Sequence, residues 1–172
     1  ALIPHQRPAG MQGFVFNTRR PLLQDKALRQ AMAYAFDFEW SNEHLFYGQY
    51  TRTRSYFQNT ELAATALPDA GELALLKPLK ANLPDEVFTQ VYQPPQSTGR
   101  GRSRQLLRQG KKILQQAGYR LQGGQLMSPS NEPVKLTFLL RHDSGFERVV
   151  LPFQKHLESL GITLSLRTVD VT

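Results

Sequence analysis

The sequence predicts an α/β fold in which helices flank a mixed sheet and the chain ends in a βαβ unit. Residues 133–140 (PVKLTFLL) and 162–169 (ITLSLRTV) have the apolar and alternating patterns of strands. Between them, apolar residues recur at helical spacing from Phe146 to Leu160. Because both joins are short, the two strands should be parallel and their crossover right-handed.

The size and composition of the chain suit one domain. A chain of 172 residues with 40% hydrophobic content can bury an ordinary core, so we expect a single domain over residues 1–172. No apolar run approaches the roughly 20 residues that cross a membrane. The chain lacks an initiator Met and residues 1–14 do not resemble a signal peptide, so we expect a piece of a longer protein. The absence of Cys excludes disulfides, thiolate catalysis and cysteine zinc sites.

The first predicted elements lie in residues 13–38. Residues 13–17 (GFVFN) are short and mostly apolar, which predicts a buried strand. Pro21 prevents helical geometry at the residue before it, and Asp25 is placed to cap a helix that ends near Phe38. The apolar stripe of that helix comprises Leu28, Met32, Ala35 and Phe36.

The middle of the chain is less regular. Residues 51–57 half-alternate, which indicates either an edge strand or an extended loop. Residues 61–103 are an irregular excursion rich in Pro and Gly, with one or two helical turns at 72–76. A helix is predicted from Arg104 to Ala117 and closed by Gly118, and a Gly-Gly turn follows at 123–124.

The boundaries of the last helix follow from three residues. Ser144 and Glu147 have the spacing of a capping box, and Gly161 should end the helix. Pro152 conflicts with a helix that starts at Gly145. Either the helix kinks there or its regular part starts later.

The net charge of +7 is concentrated in one segment. Residues 97–120 contain seven basic residues and no acidic residue, whereas the rest of the chain has 14 of each sign. The segment is either a solvated loop and helix face or a patch for a polyanion or another partner. No aromatic residue is interleaved with the basic cluster, as a base-stacking surface would require.

Catalytic and metal-binding motifs are missing from the sequence. The four His residues have no helical i, i+4 spacing, and the nucleophile-elbow, P-loop and dinucleotide-binding patterns do not occur. We therefore expect no enzyme activity, no metal site and no cofactor.

Two polar stretches are candidate binding sites. The first combines Tyr47 with Arg52 and Arg54, because arginine binds carboxylates with two parallel hydrogen bonds and tyrosine gives rigid contact. The second comprises residues 141–144 (RHDS), directly after a predicted parallel strand, where ligands bind in open α/β sheets. The alternatives are an exposed loop for the first stretch and a simple helix cap for the second.

Four segments resemble one family. Residues 16–37 (FNTRRPLLQDKALRQAMAYAFD), 107–119 (LRQGKKILQQAGY) and 133–170 resemble bacterial extracellular solute-binding proteins of the peptide/nickel-binding family, which serve ABC importers. Residues 46–57 (FYGQYTRTRSYF) resemble its YejA-like oligopeptide-binding subgroup. The resemblance implies part of the second, C-terminal lobe of a two-lobed, type II periplasmic-binding-protein-like fold.

This resemblance also implies a function. Two lobes of a periplasmic protein would close on a peptide and deliver it to an ABC permease, with a signal peptide on the missing N-terminal part. Arg141 would pair with a ligand carboxylate, His142 and Ser144 would hydrogen-bond the ligand backbone, and Glu147 would face the ligand. Tyr47, Arg52 and Arg54 form the second candidate set.

Two other functions stay open at this point. The first is a basic nucleic-acid-binding α/β domain, and the second is an enzyme whose catalytic residues lie outside these 172 residues. We expect the isolated fragment to bind peptide poorly, because half a site does not enclose its ligand.

Overall fold

The computed structural model describes residues 7–8, 10–99 and 104–170. By their contacts, these residues form two compact units, which are described separately. The first unit comprises Ala1–Phe14 and Thr51–Pro94, and the second comprises Val15–Tyr50 and Pro95–Thr172.

In the described residues, the regular elements of the first half of the chain are all helices, and all four strands lie in the second half. The helices are α1 (Pro21–Gln24), α2 (Lys26–Ala35), α3 (Phe38–Leu45), α4 (Ala70–Leu76), α5 (Glu86–Thr89), α6 (Arg104–Gln116) and α7 (Glu147–Ser159), with a 3₁₀ helix at Lys77–Asn82. The strands are β1 (Arg120–Gln122), β2 (Gln125–Met127), β3 (Lys135–Arg141) and β4 (Thr163–Val169).

The predicted βαβ unit is confirmed. Strands β3 and β4 pair in parallel from Lys135↔Thr163 to Arg141↔Val169, and α7 connects them. The hairpin of β1 and β2 is antiparallel and turns at Gly123 and Gly124. The helices at 104–116 and 70–76 are also found close to their predicted bounds.

The predicted strand at residues 13–17 is wrong. These residues have no regular structure, and the side chain of Val15 is 96% exposed. The chain instead turns there, since the Thr18 N–H donates to Phe16 O (3.0 Å) and the Arg20 N–H donates to Asn17 O (3.0 Å). An apolar run becomes a strand only where a neighbour supplies hydrogen bonds. Residues 51–57 likewise form a loop and not an edge strand.

Two helix boundaries also differ from the prediction. Helix α2 ends at Ala35, and Asp37 then accepts a hydrogen bond from the Trp40 N–H (3.1 Å) to begin α3, which the sequence patterns did not predict. The capping box is wrong: α7 begins at Glu147, and Ser144 Oγ accepts from the Phe146 N–H (3.4 Å). Gly145 has φ +63°, which is not helical, so Ser144 cannot be continuous with the helix.

The core of the second unit lies between α2, α6, α7 and the strands. Helix α2 packs on both α6 and α7, and buried His156 of α7 donates from Nδ1 to Ala35 O at the end of α2 (2.8 Å). Within the described residues, no helix has the length and apolar character needed to cross a bilayer. The largest fully buried side chains are Leu28, Leu114, Val134, Val150, Leu157, Leu160 and Ile162.

Candidate ligand-binding site

The candidate site begins where the two parallel strands end. Arg141 is the last residue of β3, and the His142 N–H donates to Val169 O, the end of β4 (3.2 Å). The Ser144 N–H then donates to Arg141 O (3.1 Å), which turns the chain toward α7. The loop therefore leaves from the carboxyl edge of the β3–β4 pair, the edge at which open α/β sheets bind ligands.

A cavity of about 340 Å³ adjoins this loop. It lies between the start of α7 and Phe46, the residue that follows α3. The Arg148 guanidinium lies 5.7 Å from the centroid of the Phe46 ring, which is cation–π distance. The cavity thus joins an aromatic face, a cation and the Ser144 hydroxyl. Its lining residues are Phe46, Ser144, Gly145, Phe146, Arg148 and Val149.

Hydrogen bonds fix the loop that carries Phe46. The Asn42 side-chain amide donates to Tyr50 O (2.7 Å) and accepts from the Tyr50 N–H (2.9 Å), so it pairs with that residue as a neighbouring strand would. The Phe46 and Tyr50 rings meet edge to face with centroids 4.8 Å apart. This arrangement holds Phe46 beside the cavity.

The residues named from the sequence are only partly brought together. Ser144 lines the cavity, whereas Arg141, His142 and Glu147 are exposed beside it along the chain. Tyr47 follows Phe46 and is 81% exposed, with φ +55°.

The candidate arginines outside this loop lie in the first unit. Arg54 is exposed, and its backbone N–H donates to Gln58 Oε1 (3.2 Å). Arg52 is half-buried. The part of either residue in ligand binding stays a prediction.

A contact between a histidine and a carboxylate occurs at the site. His142 Nδ1 lies 3.0 Å from Asp143 Oδ1, and the two side chains are 72% and 86% exposed. A pair this exposed contributes little to stability, because water screens it. Both side chains can therefore leave this contact for a ligand at small cost. In residues 7–8, 10–99 and 104–170, no group of three or more His, Asp or Glu side chains could hold a metal ion.

Sequence reasoning missed Phe46 and Arg148 as site residues. Arg148 directly follows the candidate Glu147 in the first turn of α7, so extending the candidate stretch by one residue would have included it. Phe46 could be found only by recognising α3, whose end brings that ring to α7.

The comparisons with known proteins agree with one another on one family. The sequence model for bacterial extracellular solute-binding proteins, family 5 (middle region), matches residues 3–172. The uncharacterized protein YejA of Escherichia coli is 49% identical over 156 residues, which cover 90% of this chain and 26% of that protein. The probable peptide-binding protein YejA of Agrobacterium fabrum is 40% identical over 163 residues, or 94% of this chain and 26% of that one.

A solved structure shows the same fold. The mannohexaose-bound periplasmic oligopeptide-binding protein of an oligopeptide ABC transporter from Thermotoga maritima matches with a TM-score of 0.60 at 20% identity. The match covers 95% of this chain and 26% of that one. The chain therefore spans about a quarter of the length of these relatives and has part of a type II periplasmic-binding-protein fold. By its match over residues 3–172, the chain belongs to the bacterial extracellular solute-binding proteins of family 5.

Proposed function

We propose that this chain is part of a protein that binds a peptide or peptide-like ligand and delivers it to an ABC importer. The family match over residues 3–172 carries the proposal. The probable peptide-binding relative from Agrobacterium fabrum supports a peptide as the first ligand class to test. The mannohexaose bound by the Thermotoga maritima protein makes an oligosaccharide the second.

The chemistry of the loop suits a peptide. Arg141 and Arg148 are exposed guanidinium groups within one short segment, and guanidinium binds carboxylate with two parallel hydrogen bonds. The Ser144 hydroxyl can donate to a peptide carbonyl or accept from a peptide N–H. The Phe46 ring offers apolar contact at the same cavity. Glu147 is exposed in the first turn of α7 and could accept from a ligand amine.

The mechanism of delivery extends beyond this chain. Proteins of this family are generally not enzymes, and we assign no catalytic step to these residues. Closure of two lobes would exclude water from the ligand and present the closed form to a permease. Because the Thermotoga maritima protein is periplasmic, we expect the full protein to act outside the cytoplasm, with Tyr47 and His142 as further ligand contacts. Arg52 and Arg54 stay separate candidates.

The test is ligand binding by the full-length protein. We expect mixed tri- to hexapeptides to raise its melting temperature, and calorimetry should show that Arg141→Gln weakens peptide binding by about 10- to 100-fold, the value of a charge-assisted hydrogen bond. Arg167→Gln is the matched control, since it removes an exposed arginine from the other strand of the same sheet and should leave the affinity unchanged.

Salt dependence separates this proposal from nucleic-acid binding. Peptide affinity should change little between low and high salt, whereas a protein that neutralises several phosphates loses orders of magnitude. Steeply salt-dependent DNA binding, with no stabilisation by peptides, would contradict the proposal.

A further inference from the structure

Helix α6 carries the positive charge of the chain on one face. Its 13 residues include four cations and no acidic residue. At about 100° per residue, Arg104, Arg108, Lys111 and Lys112 fall within an arc of roughly 100° and span about 12 Å along the axis. All four side chains are exposed. These four residues are called the basic stripe below.

The fold holds the basic stripe outward. The opposite face of α6 is buried through Leu106, Gly110 and Leu114, and the helix packs on α2. Helix α2, over Lys26–Ala35, contains no acidic residue either. Within the described part of the chain, none of the four cations pairs with a carboxylate. No carboxylate of the described residues therefore neutralises their charges.

The other exposed residues of α6 make most kinds of partner a poor fit to the basic stripe. The other exposed positions of α6 are all glutamine: Gln105, Gln109, Gln115 and Gln116. Among the described residues, the exposed positions of α6 therefore offer no aromatic or aliphatic anchor of the kind on which protein interfaces depend, and no aromatic ring on which nucleobases stack. The outer surface of a helix is also convex and cannot enclose a small ligand. The basic stripe instead suits a broad, fluid, negatively charged surface, which it can contact through charge alone.

We propose that the basic stripe is an electrostatic docking surface for a bilayer of anionic phospholipid. The apolar face of α6 is buried in the core, so the helix cannot insert into the bilayer. The contact would therefore involve only lipid headgroups and would weaken as salt rises. This goes beyond the proposed ligand binding. It would concentrate the protein at the membrane that holds a permease, without any contact to the ligand.

The test is vesicle flotation of the full-length protein. Vesicles of phosphatidylcholine and phosphatidylglycerol, at about two to one, should bind it at low salt and release it at high salt, and pure phosphatidylcholine should not bind it. The triple variant Arg108→Gln, Lys111→Gln, Lys112→Gln should bind on the order of 100-fold more weakly, from about fivefold for each cation.

A second triple variant controls for net charge. Lys135→Gln, Lys155→Gln and Arg167→Gln remove three exposed cations from β3, α7 and β4, and should keep vesicle binding near that of the unmodified protein. Equal losses in both variants, or binding independent of phosphatidylglycerol, would overturn the proposal. So would duplex DNA or polyglutamate binding more tightly than the vesicles. Peptide affinity should be unchanged in both variants, because neither alters the candidate ligand-binding site. Failure of vesicle binding is thereby distinguished from failure of the ligand-binding proposal.

Discussion

At the scale of single residues, Asp25 links two segments that are far apart in the sequence. Its Oδ1 accepts from the Ala27 N–H (2.8 Å), which caps α2, and its Oδ2 accepts from the Tyr119 hydroxyl (2.7 Å). Burial of the Tyr119 phenol, its hydrogen bond to Asp25 and the negative charge of Asp25 all raise the pKa of Tyr119. The carboxylate thus fixes both the start of α2 and the segment after α6.

This raised pKa makes stability depend on alkaline pH. The unfolded chain releases the phenol proton near pH 10, whereas the folded chain keeps it, so the contribution of Tyr119 is complete below about pH 10 and falls as the pH rises further. We expect Tyr119→Phe to lower the free energy of unfolding by about 1–2 kcal/mol at neutral pH. Since phenylalanine does not titrate, this variant should lose less stability than the unmodified protein above pH 10.

Urea denaturation at neutral and alkaline pH would measure both effects. Tyr56→Phe is the control, because the Tyr56 ring is 82% exposed, and its unfolding curves should match those of the unmodified protein. An alkaline decline that is identical in Tyr119→Phe and the unmodified protein would contradict the assignment.

At the scale of elements, the β1–β2 hairpin is hydrogen-bonded to the turn between α7 and β4. The Leu126 N–H donates to Gly161 O (2.7 Å), the Val134 N–H donates to Leu126 O (2.8 Å), and the Thr163 N–H donates to Val134 O (3.1 Å). Gly161 has φ +82°, and a Cβ there would lie 2.8 Å from Leu126 N and 2.5 Å from Leu121 Cδ2. The hairpin can approach this closely only because residue 161 has no side chain.

Gly161→Ala should therefore destabilise the protein by about 3 kcal/mol, the sum of a left-handed alanine and a backbone clash. Gly123→Ala is the matched control. Gly123 also has positive φ (+57°), but a Cβ added there would meet no atom within 4 Å, so only the conformational cost of about 1 kcal/mol applies. Equal shifts in the urea midpoint for the two variants would contradict the predicted clash between residue 161 and the hairpin.

At the scale of the whole molecule, the two units differ in their cores. Every buried hydrophobic residue of the described chain lies in the unit of Val15–Tyr50 and Pro95–Thr172, apart from Pro94 at the edge of the other unit. In the unit of Ala1–Phe14 and Thr51–Pro94, large apolar side chains such as Leu62 and Leu75 are 65% and 76% exposed. Local stability follows buried apolar contact, so this unit should open more readily.

Hydrogen exchange of the 172-residue chain would measure this difference. We expect amides of α4 and α5 to exchange orders of magnitude faster than those of α2, α6 and α7, because opening the first unit exposes little buried surface. Equal protection of α4 and α6 would contradict this expectation.

Much of the fold and a smaller part of the site could be predicted from sequence. The strands around α7, the Asp25 cap and the bounds of α6 depend on patterns within about ten residues, and all are confirmed. Ser144 was also expected at the carboxyl end of β3, and it lines the cavity. Phe46 and Arg148 were missed because their meeting depends on how α3 lies against α7.

The sequence by itself determined the βαβ unit, the basic face of α6 and the family, because periodicity, charge and motif order are properties of neighbouring residues. The tertiary structure decided the rest. Residues 13–17 have the composition of a strand, but they belong to no strand of the described chain. Gly145 takes a left-handed conformation that moves the start of α7 to Glu147. The physical reason is that hydrogen-bond partners and packing contacts come from residues distant along the chain, which local patterns do not specify.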